Sequence, residues 1–426
     1  MPGRVGVQQG STSRIAGHVL WITGVAILIS LMGSSLKNTV QVFFVPMADS
    51  FGYPRGEFAI ATTIFAATIA LASPAIGALS DRFGPLLVMR AGLVVSAAMF
   101  ALITVAQSFL LLAILYGVLG ALGYASLSYV PIGVLVDRAF PADRRGFFYA
   151  LVTNGTAIGF IVLVPLWIWL ETMTSWQSVL IALSVLFAVV LLPLSFTVRA
   201  PDAKRLATTA TSHVERSRAL AVMRCGPFIP LVLAFMACGV TMAFVDVHLI
   251  PDMHDHGVAP TTVSTAMVLL GFTEIVGAFV AGFFCDRGRI RSVLLSAYLL
   301  RGASIVLLAI SPNDVVIQLF GVIFGSSYLM TVVATTVWIA RLYPPHVRGL
   351  LLGIMWAAHQ VGAALSSQLG ATLHDVLDSY DPIIYIGAAF CVVSIIIVAA
   401  LREPAPSIAA PMDTAVETSP SPSTIE

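Results

Sequence analysis

Apolar residues arrive in this chain in unbroken runs of about 20, the length an α-helix needs to cross roughly 30 Å of hydrocarbon. The runs do not alternate with polar residues, which excludes a closed β-barrel. A soluble domain is excluded as well. With 58% hydrophobic and only 10% charged residues, and a mean hydropathy of +0.96, too few polar groups are present to cover a folded surface. The sequence therefore predicts an all-α membrane protein, with twelve spans near 18–47, 57–79, 85–105, 109–136, 147–170, 176–197, 228–250, 262–284, 292–311, 315–340, 349–373 and 382–401.

Charge sets the expected orientation. With both termini inside, the inner loops hold Arg82, Arg90, Arg138, Arg144, Arg145, Arg287, Arg289, Arg291, Arg341 and Arg348. The outer loops hold Arg55 as their one basic residue, against Asp49, Glu57, Glu171, Asp252, Asp255, Asp314, Asp375, Asp378 and Asp381. This asymmetry follows the positive-inside rule and predicts a multi-pass membrane protein with both termini cytoplasmic. Met1 to Gly17 is polar and the first apolar run is too long for a signal-peptide core, so no cleaved signal is expected. The four cysteines, Cys225, Cys238, Cys285 and Cys391, lack metal-site spacing and read as free thiols.

The only long polar stretch inside the sequence, 198–227, carries six basic residues and divides the chain into comparable parts. Sliding one part by 205 positions superposes Pro46 on Pro251, Gly52 on Gly257, Gly77 on Gly282, Asp81 on Asp286 and Arg82 on Arg287. With two positions of slippage, Arg145 falls on Arg348, Gly146 on Gly349 and Gly159 on Gly362. The expected organisation is an N-terminal segment (1–17), a six-helix bundle (18–197), a cytoplasmic linker (198–227), a second six-helix bundle (228–401) and a disordered tail (402–426). Parallel repeats of this kind place a binding site near the bilayer midplane between the halves, which rock around it. The repeated inner segment, GALSDRFGP at 77–85 and AGFFCDRGR at 281–289, is the expected latch of that motion. Gly77 permits close helix packing. Asp81 and Asp286 can accept from neighbouring helix ends while Arg82 and Arg287 face phosphates or a partner carboxylate, a set of contacts made in one state and broken in the other.

An ionisable side chain near the bilayer centre costs on the order of 2.5–3.5 kcal/mol and so needs a reason. Lys37 in helix one, with Asn38 and Gln41 beside it, lies too deep to snorkel comfortably, roughly 15 Å of helix from the outer end. An amine there can bind an anion or pair with an acid. Glu274 in helix eight is its expected partner, a carboxyl able to be neutral in one conformation and ionised in another. Asp246 and His248 in helix seven read equally as interfacial groups or as parts of the site. His359 in helix eleven can meet the substrate, shuttle a proton or bond another helix. Arg301 in helix nine either reaches inward to an anion or pairs with another helix. Tyr124, Ser126, Ser128, Tyr129, Asn154, Ser326, Ser327, Tyr328 and Thr331 can coordinate a solute or join helices.

The motif GxLxDRxG, its copy six helices later and the basic central stretch together resemble the major facilitator superfamily, over nearly all of 18–401. The resemblance implies two pseudo-symmetric six-helix bundles and transport by alternating access. KNTVQVFF (Lys37 to Phe44), DRRGFFYALVTNGTAIG (Asp143 to Gly159) and an acid at Glu274 are similar to the monocarboxylate transporter branch, in which a helix-one lysine serves anion or proton-linked binding. The branch's helix-eight arginine would fall on Ala278, and of its aromatic-glycine opening only Trp21 remains. The resemblance thus implies proton-linked uptake of a monocarboxylate-type anion. Loss of that arginine keeps open uptake of a larger heterocycle such as riboflavin, and drug or metabolite export is a third reading. No phosphate-binding loop, nucleophile elbow, zinc signature or dinucleotide fingerprint occurs. The chain therefore reads as a transporter and not an enzyme, with no metal or cofactor. Its expected partners are a small-molecule substrate, protons and the lipid bilayer, with no nucleic acid, and it is expected to be a monomer.

Overall fold

A computed structural model describes residues 6–52, 55–198, 227–310 and 313–403. Twelve helices in it are long and apolar enough to cross a membrane: α1 (Val19–Val40), α2 (Ile60–Phe83), α3 (Pro85–Thr104), α4 (Phe109–Ala139), α5 (Ala142–Met173), α6 (Trp176–Thr197), α7 (Phe228–Asp255), α8 (Thr261–Asp286), α9 (Ile290–Ile310), α10 (Asp314–Leu342), α11 (Arg348–Leu377) and α12 (Asp381–Ala400). They form two six-helix bundles. Large apolar side chains such as Leu71, Val268 and Ile310 remain exposed around them, as required of a surface solvated by lipid tails. The arginine-rich linker with Lys204, Cys225 and nearly all of the tail lie outside the described residues.

Helix ends overrun the apolar runs. The first helix begins at Gly6, well before the expected start of helix one. The helix of α2 covers Arg55–Phe83, so Asp81 and Arg82 form its last turn and not a loop. Backbone hydrogen bonding continues through the polar Ser80–Arg82 to Gly84, whose amide donates to the Ser80 carbonyl (3.0 Å) and whose φ of 92° turns the chain into α3. Asp286 ends α8 in the same way, with Gly288 at φ 81° after it. Glu403, expected in the disordered tail, accepts from the backbone amides of Ile290 (2.6 Å) and Arg291 (3.0 Å), a carboxylate on the first turn of α9. Cys238, Cys285 and Cys391 are free and buried.

Besides α6, which has a π-turn at Leu186–Leu191, four of the described helices are irregular at mid-length. In α1 the helix breaks at Ser34, whose hydroxyl donates to the Leu31 carbonyl (2.7 Å) and competes with the ladder. In α4 it breaks at Ser128, in an extended conformation with ψ −154°. In α7 a π-turn spans Phe244–His248, and in α10 the helix is interrupted at Leu329. The internal repeat relates α1 to α7 and α4 to α10, so the breaks come in two related pairs. Such backbone is tolerated at membrane depth only where protein buries it or water reaches it.

Glycines set the spacing within and between bundles. A Cβ on Gly239 would stand 2.0 Å from the His359 carbonyl oxygen, joining α7 to α11. One on Gly77 would stand 1.9 Å from the carbonyl oxygen of Gly349, joining the two bundles through α2 and α11.

Candidate functional site

The four broken helices carry the central polar side chains. Lys37 follows the α1 break by less than a turn, Asp246 sits inside the α7 π-turn, Tyr129 follows the α4 break and Tyr328 precedes the α10 break. Lys37 Nζ lies 3.8 Å from Asp246 Oδ2, an ion pair between the two bundles. Both side chains keep a large accessible surface, 41% and 45%, although they lie mid-helix. They therefore line a water-accessible cavity and are not packed in a core. Tyr124 stands within the field of both charges, and Tyr328 and Glu274 face Asp246. Among the described residues the Glu274 carboxyl and the Tyr124 and Tyr328 hydroxyls have no hydrogen-bond partner. The cavity thus offers one ammonium, two carboxyl groups and free phenols. Lys37 is one of only two lysines in a chain with 22 Lys and Arg combined, so its ammonium is not part of the arginine-based loop charge.

The partner of Lys37 is Asp246, not Glu274 as expected: the two side chains reach each other from the first helices of the two repeats. Four other candidates lie away from the cavity. Arg301 has no exposed surface. Its guanidinium donates to the carbonyls of Ser327 (2.8 Å) and Tyr328 (2.9 Å), with Thr241 and Thr331 further off. Those carbonyls belong to the last turn before the α10 break, so the arginine caps a helix end inside the second bundle, with the Thr331 hydroxyl also donating to Tyr328 (3.4 Å). Asn154 lies on the seam of α5 and α8, where Nδ2 donates to the Ile275 carbonyl (3.3 Å). His359 is buried against Phe235 and Trp356, with Nε2 3.2 Å from Met242 Sδ. His248 meets the Ser367 carbonyl (3.0 Å) on α11.

Contacts at the end of the bundle rich in arginine, here the basic end, hold the two bundles together there. Asp81 accepts from the amides of Gly349 and Leu350, each at 2.9 Å, on the first turn of α11. Asp286 accepts from Gly146 (2.7 Å) and Phe147 (2.9 Å) on the first turn of the α5 helix. Both carboxylates thereby use the positive end of a helix from the opposite bundle. Arg138 donates to the Asp81 carbonyl (2.8 Å), and its repeat counterpart Arg341 to the carbonyls of Cys285 (2.7 Å) and Asp286 (3.3 Å). Arg82 and Arg287, expected in the latch, make no such contact. They lie over Phe83 and Phe283, because the last helical turn points them away from the interface. Asp137, which composition and motif did not single out, takes an ion pair from Arg145 (3.2 Å) within its own bundle and from Arg348 across the interface. The repeat places Ala340 at the corresponding position, so one acid serves both arginines. Between this end and the cavity, Tyr129 stacks on Trp356 at 4.3 Å, a further contact between the bundles that the sequence did not indicate. With the basic end closed, the cavity is reached from the opposite, acidic end.

The fold, its internal repeat and a midplane cavity between bundles define a membrane carrier. The family model described as Major Facilitator Superfamily matches residues 24–252 and again residues 231–422. The chain belongs to the major facilitator superfamily. It is 28% identical over 400 residues to the uncharacterized MFS-type transporter YcxA of Bacillus subtilis (strain 168), covering 90% of this chain and 95% of the relative. It is 26% identical over 362 residues to monocarboxylate transporter 13 of Rattus norvegicus, covering 82% and 81%. Among solved structures, the human organic anion transporter MFSD10 (TETRAN) superposes with a TM-score of 0.71 at 16% identity, over 89% of this chain and 99% of that one. The proton:xylose symporter XylE superposes with a TM-score of 0.69 at 14% identity, over 89% and 95%. These two share the fold.

Proposed function

We propose that this transporter takes up a monocarboxylate-type organic anion together with protons, by alternating access. The observation that carries the reading is the water-accessible ammonium of Lys37 in the midplane cavity, paired with the Asp246 carboxylate, whose charge in turn acts on Glu274. A cation at that depth must be neutralised before the cavity closes, and a single carboxylate does so with charge-assisted hydrogen bonds. The similarity to a protein named as a monocarboxylate transporter supports the same class. In this reading Lys37 holds the anion, Tyr124 and Tyr328 orient it, and the carboxyl side chains carry the proton. The Asp81 and Asp286 contacts hold one end shut while the other is open. The basic end faces the cytoplasm, the membrane is a bacterial inner membrane, and the monomer is the working unit.

Purified protein in proteoliposomes tests this with labelled lactate or pyruvate, with and without a pH gradient. Saturable uptake that rises when the outside is acidic, and that Lys37→Met abolishes, is the expected result. Uptake that is absent, or indifferent to Lys37, rejects the reading.

A second reading rests on the aromatic lining. Tyr124, Tyr328 and the Tyr129–Trp356 stack offer flat surfaces suited to a heterocycle such as riboflavin. Growth of a riboflavin auxotroph on low vitamin, restored by this chain and not by a Tyr328→Ala variant, is the discriminating outcome.

A further inference from the structure

Lys37 and Asp246 sit one helical turn out of register in the internal repeat. At the displacement of 205, Lys37 corresponds to Met242 and Asp246 to Gln41. The duplicated scaffold therefore carries a cation on its first copy and an anion on its second, and the two meet across the cavity at 3.8 Å. Each is also held by irregular backbone, the α1 break at Ser34 and the α7 π-turn at Phe244–His248. A π-turn rotates its residues out of the helical register and is often found where a side chain must be presented to a site. Here it turns Asp246 toward the opposite bundle.

An ion pair that keeps so much accessible surface is weak in water, weak enough for a solute carboxylate to displace one partner. The balance changes when the cavity closes and water leaves. An unpaired ammonium is then strongly disfavoured, as is an unpaired carboxylate. The carrier must close twice in each cycle, once loaded and once empty. On the loaded step a substrate carboxylate can neutralise Lys37. On the empty step only a protein group can.

We propose that Asp246 is an internal stand-in for the substrate's carboxylate: it neutralises Lys37 in the empty carrier, and the solute takes its place in the loaded one. The inference rests on the anion reading above and adds to it the group that permits the empty return. When displaced, Asp246 enters the closing cavity with a proton taken from the open side. One anion and one proton then cross together with no net charge, and the proton leaves when Asp246 returns to Lys37. The groups that face Asp246 are Lys37 on α1, Tyr124 on α4, Glu274 on α8 and Tyr328 on α10. On α11, which also packs on this turn, His359 is bonded to Met242, one turn along α7 from Asp246. Of these, Lys37 alone is within ion-pair distance of Asp246 among the described residues.

Net uptake and exchange separate the two closing steps. In proteoliposomes with labelled lactate, Asp246→Asn is expected to keep lactate–lactate exchange while net uptake falls at least about tenfold, with KM lower by roughly two- to fivefold once the internal competitor is gone. Asp246→Glu restores net uptake in part. Equal loss of exchange and net uptake in Asp246→Asn, or no change in either, overturns the proposal. A second measurement holds whatever solute the carrier moves. With only two lysines in the chain, an anionic amine-reactive reagent followed by peptide mass spectrometry reports Lys37 separately from Lys204. Labelling of Lys37 is expected to rise several-fold in Asp246→Asn, and unchanged labelling rejects the pairing. A carrier that moves no lactate or pyruvate but shows the rise loses the monocarboxylate reading and keeps the internal counter-ion.

Discussion

At the scale of single residues, two buried or half-buried cations have opposite environments and opposite roles. Lys37 has one ionic partner and a large accessible surface, whereas Arg301 has no accessible surface and is satisfied by backbone carbonyls. Arg301→Met removes the guanidinium donor from the carbonyls of Ser327 and Tyr328 in an apolar interior, leaving Tyr328 only the longer Thr331 hydroxyl (3.4 Å), at a cost on the order of 2 kcal/mol. The expected outcome is a lower melting temperature in detergent and lower yield, with the KM of the surviving protein unchanged. A variant as stable as the parent but with a raised KM for the anion would move Arg301 into the binding site. Sequence alone left both roles open for this arginine, because its position along α9 says nothing about which neighbour's carbonyls are unpaired.

At the scale of helices, two glycine contacts of equal closeness divide by what they join. Gly239 packs α7 on α11 inside one bundle, a contact present in every state of a rocking carrier. Gly77 packs α2 of one bundle on α11 of the other, a contact that belongs to the closed basic end. Overpacking by one methyl group costs about 1–3 kcal/mol in either place. Gly239→Ala is expected to lower the melting temperature. Gly77→Ala is expected to leave it nearly unchanged and instead to open the basic end, read as faster thiol labelling of a cysteine placed at Arg82. Equal thermal destabilisation by both variants would mean that the α2–α11 seam never opens.

At the scale of the whole molecule, the latch and the cavity form one device. Asp81, Asp286 and the shared Asp137 hold the basic end, and the Lys37–Asp246 pair spans the open cavity beyond it. The proposed orientation puts the basic end in the cytoplasm. With Cys225 replaced by serine, an impermeant thiol reagent added to intact cells is expected to label His254→Cys at the acidic end. It is expected to label Arg287→Cys only after permeabilisation. The reverse pattern would invert the carrier and make the same geometry an exporter.

The number of spans, the all-α class, the internal repeat and the family resemblance were legible in the chain itself. Each depends on the local length of an apolar run or on a motif repeated at a regular displacement, and lipid enforces that length without help from distant residues. The meetings across the cavity were not legible. Lys37 and Asp246 lie in different halves, and the pairing of Lys37 with Asp246 rather than Glu274 follows from a π-turn whose sequence, FVDVH, carries no glycine or proline to announce it. Asp137 was not singled out by the sequence, because its role depends on Arg348 reaching it from the other bundle. Lipid and periodicity decided what crosses the membrane. Only the approach of the two bundles, set by glycine contacts and helix breaks, decided which charges meet inside it.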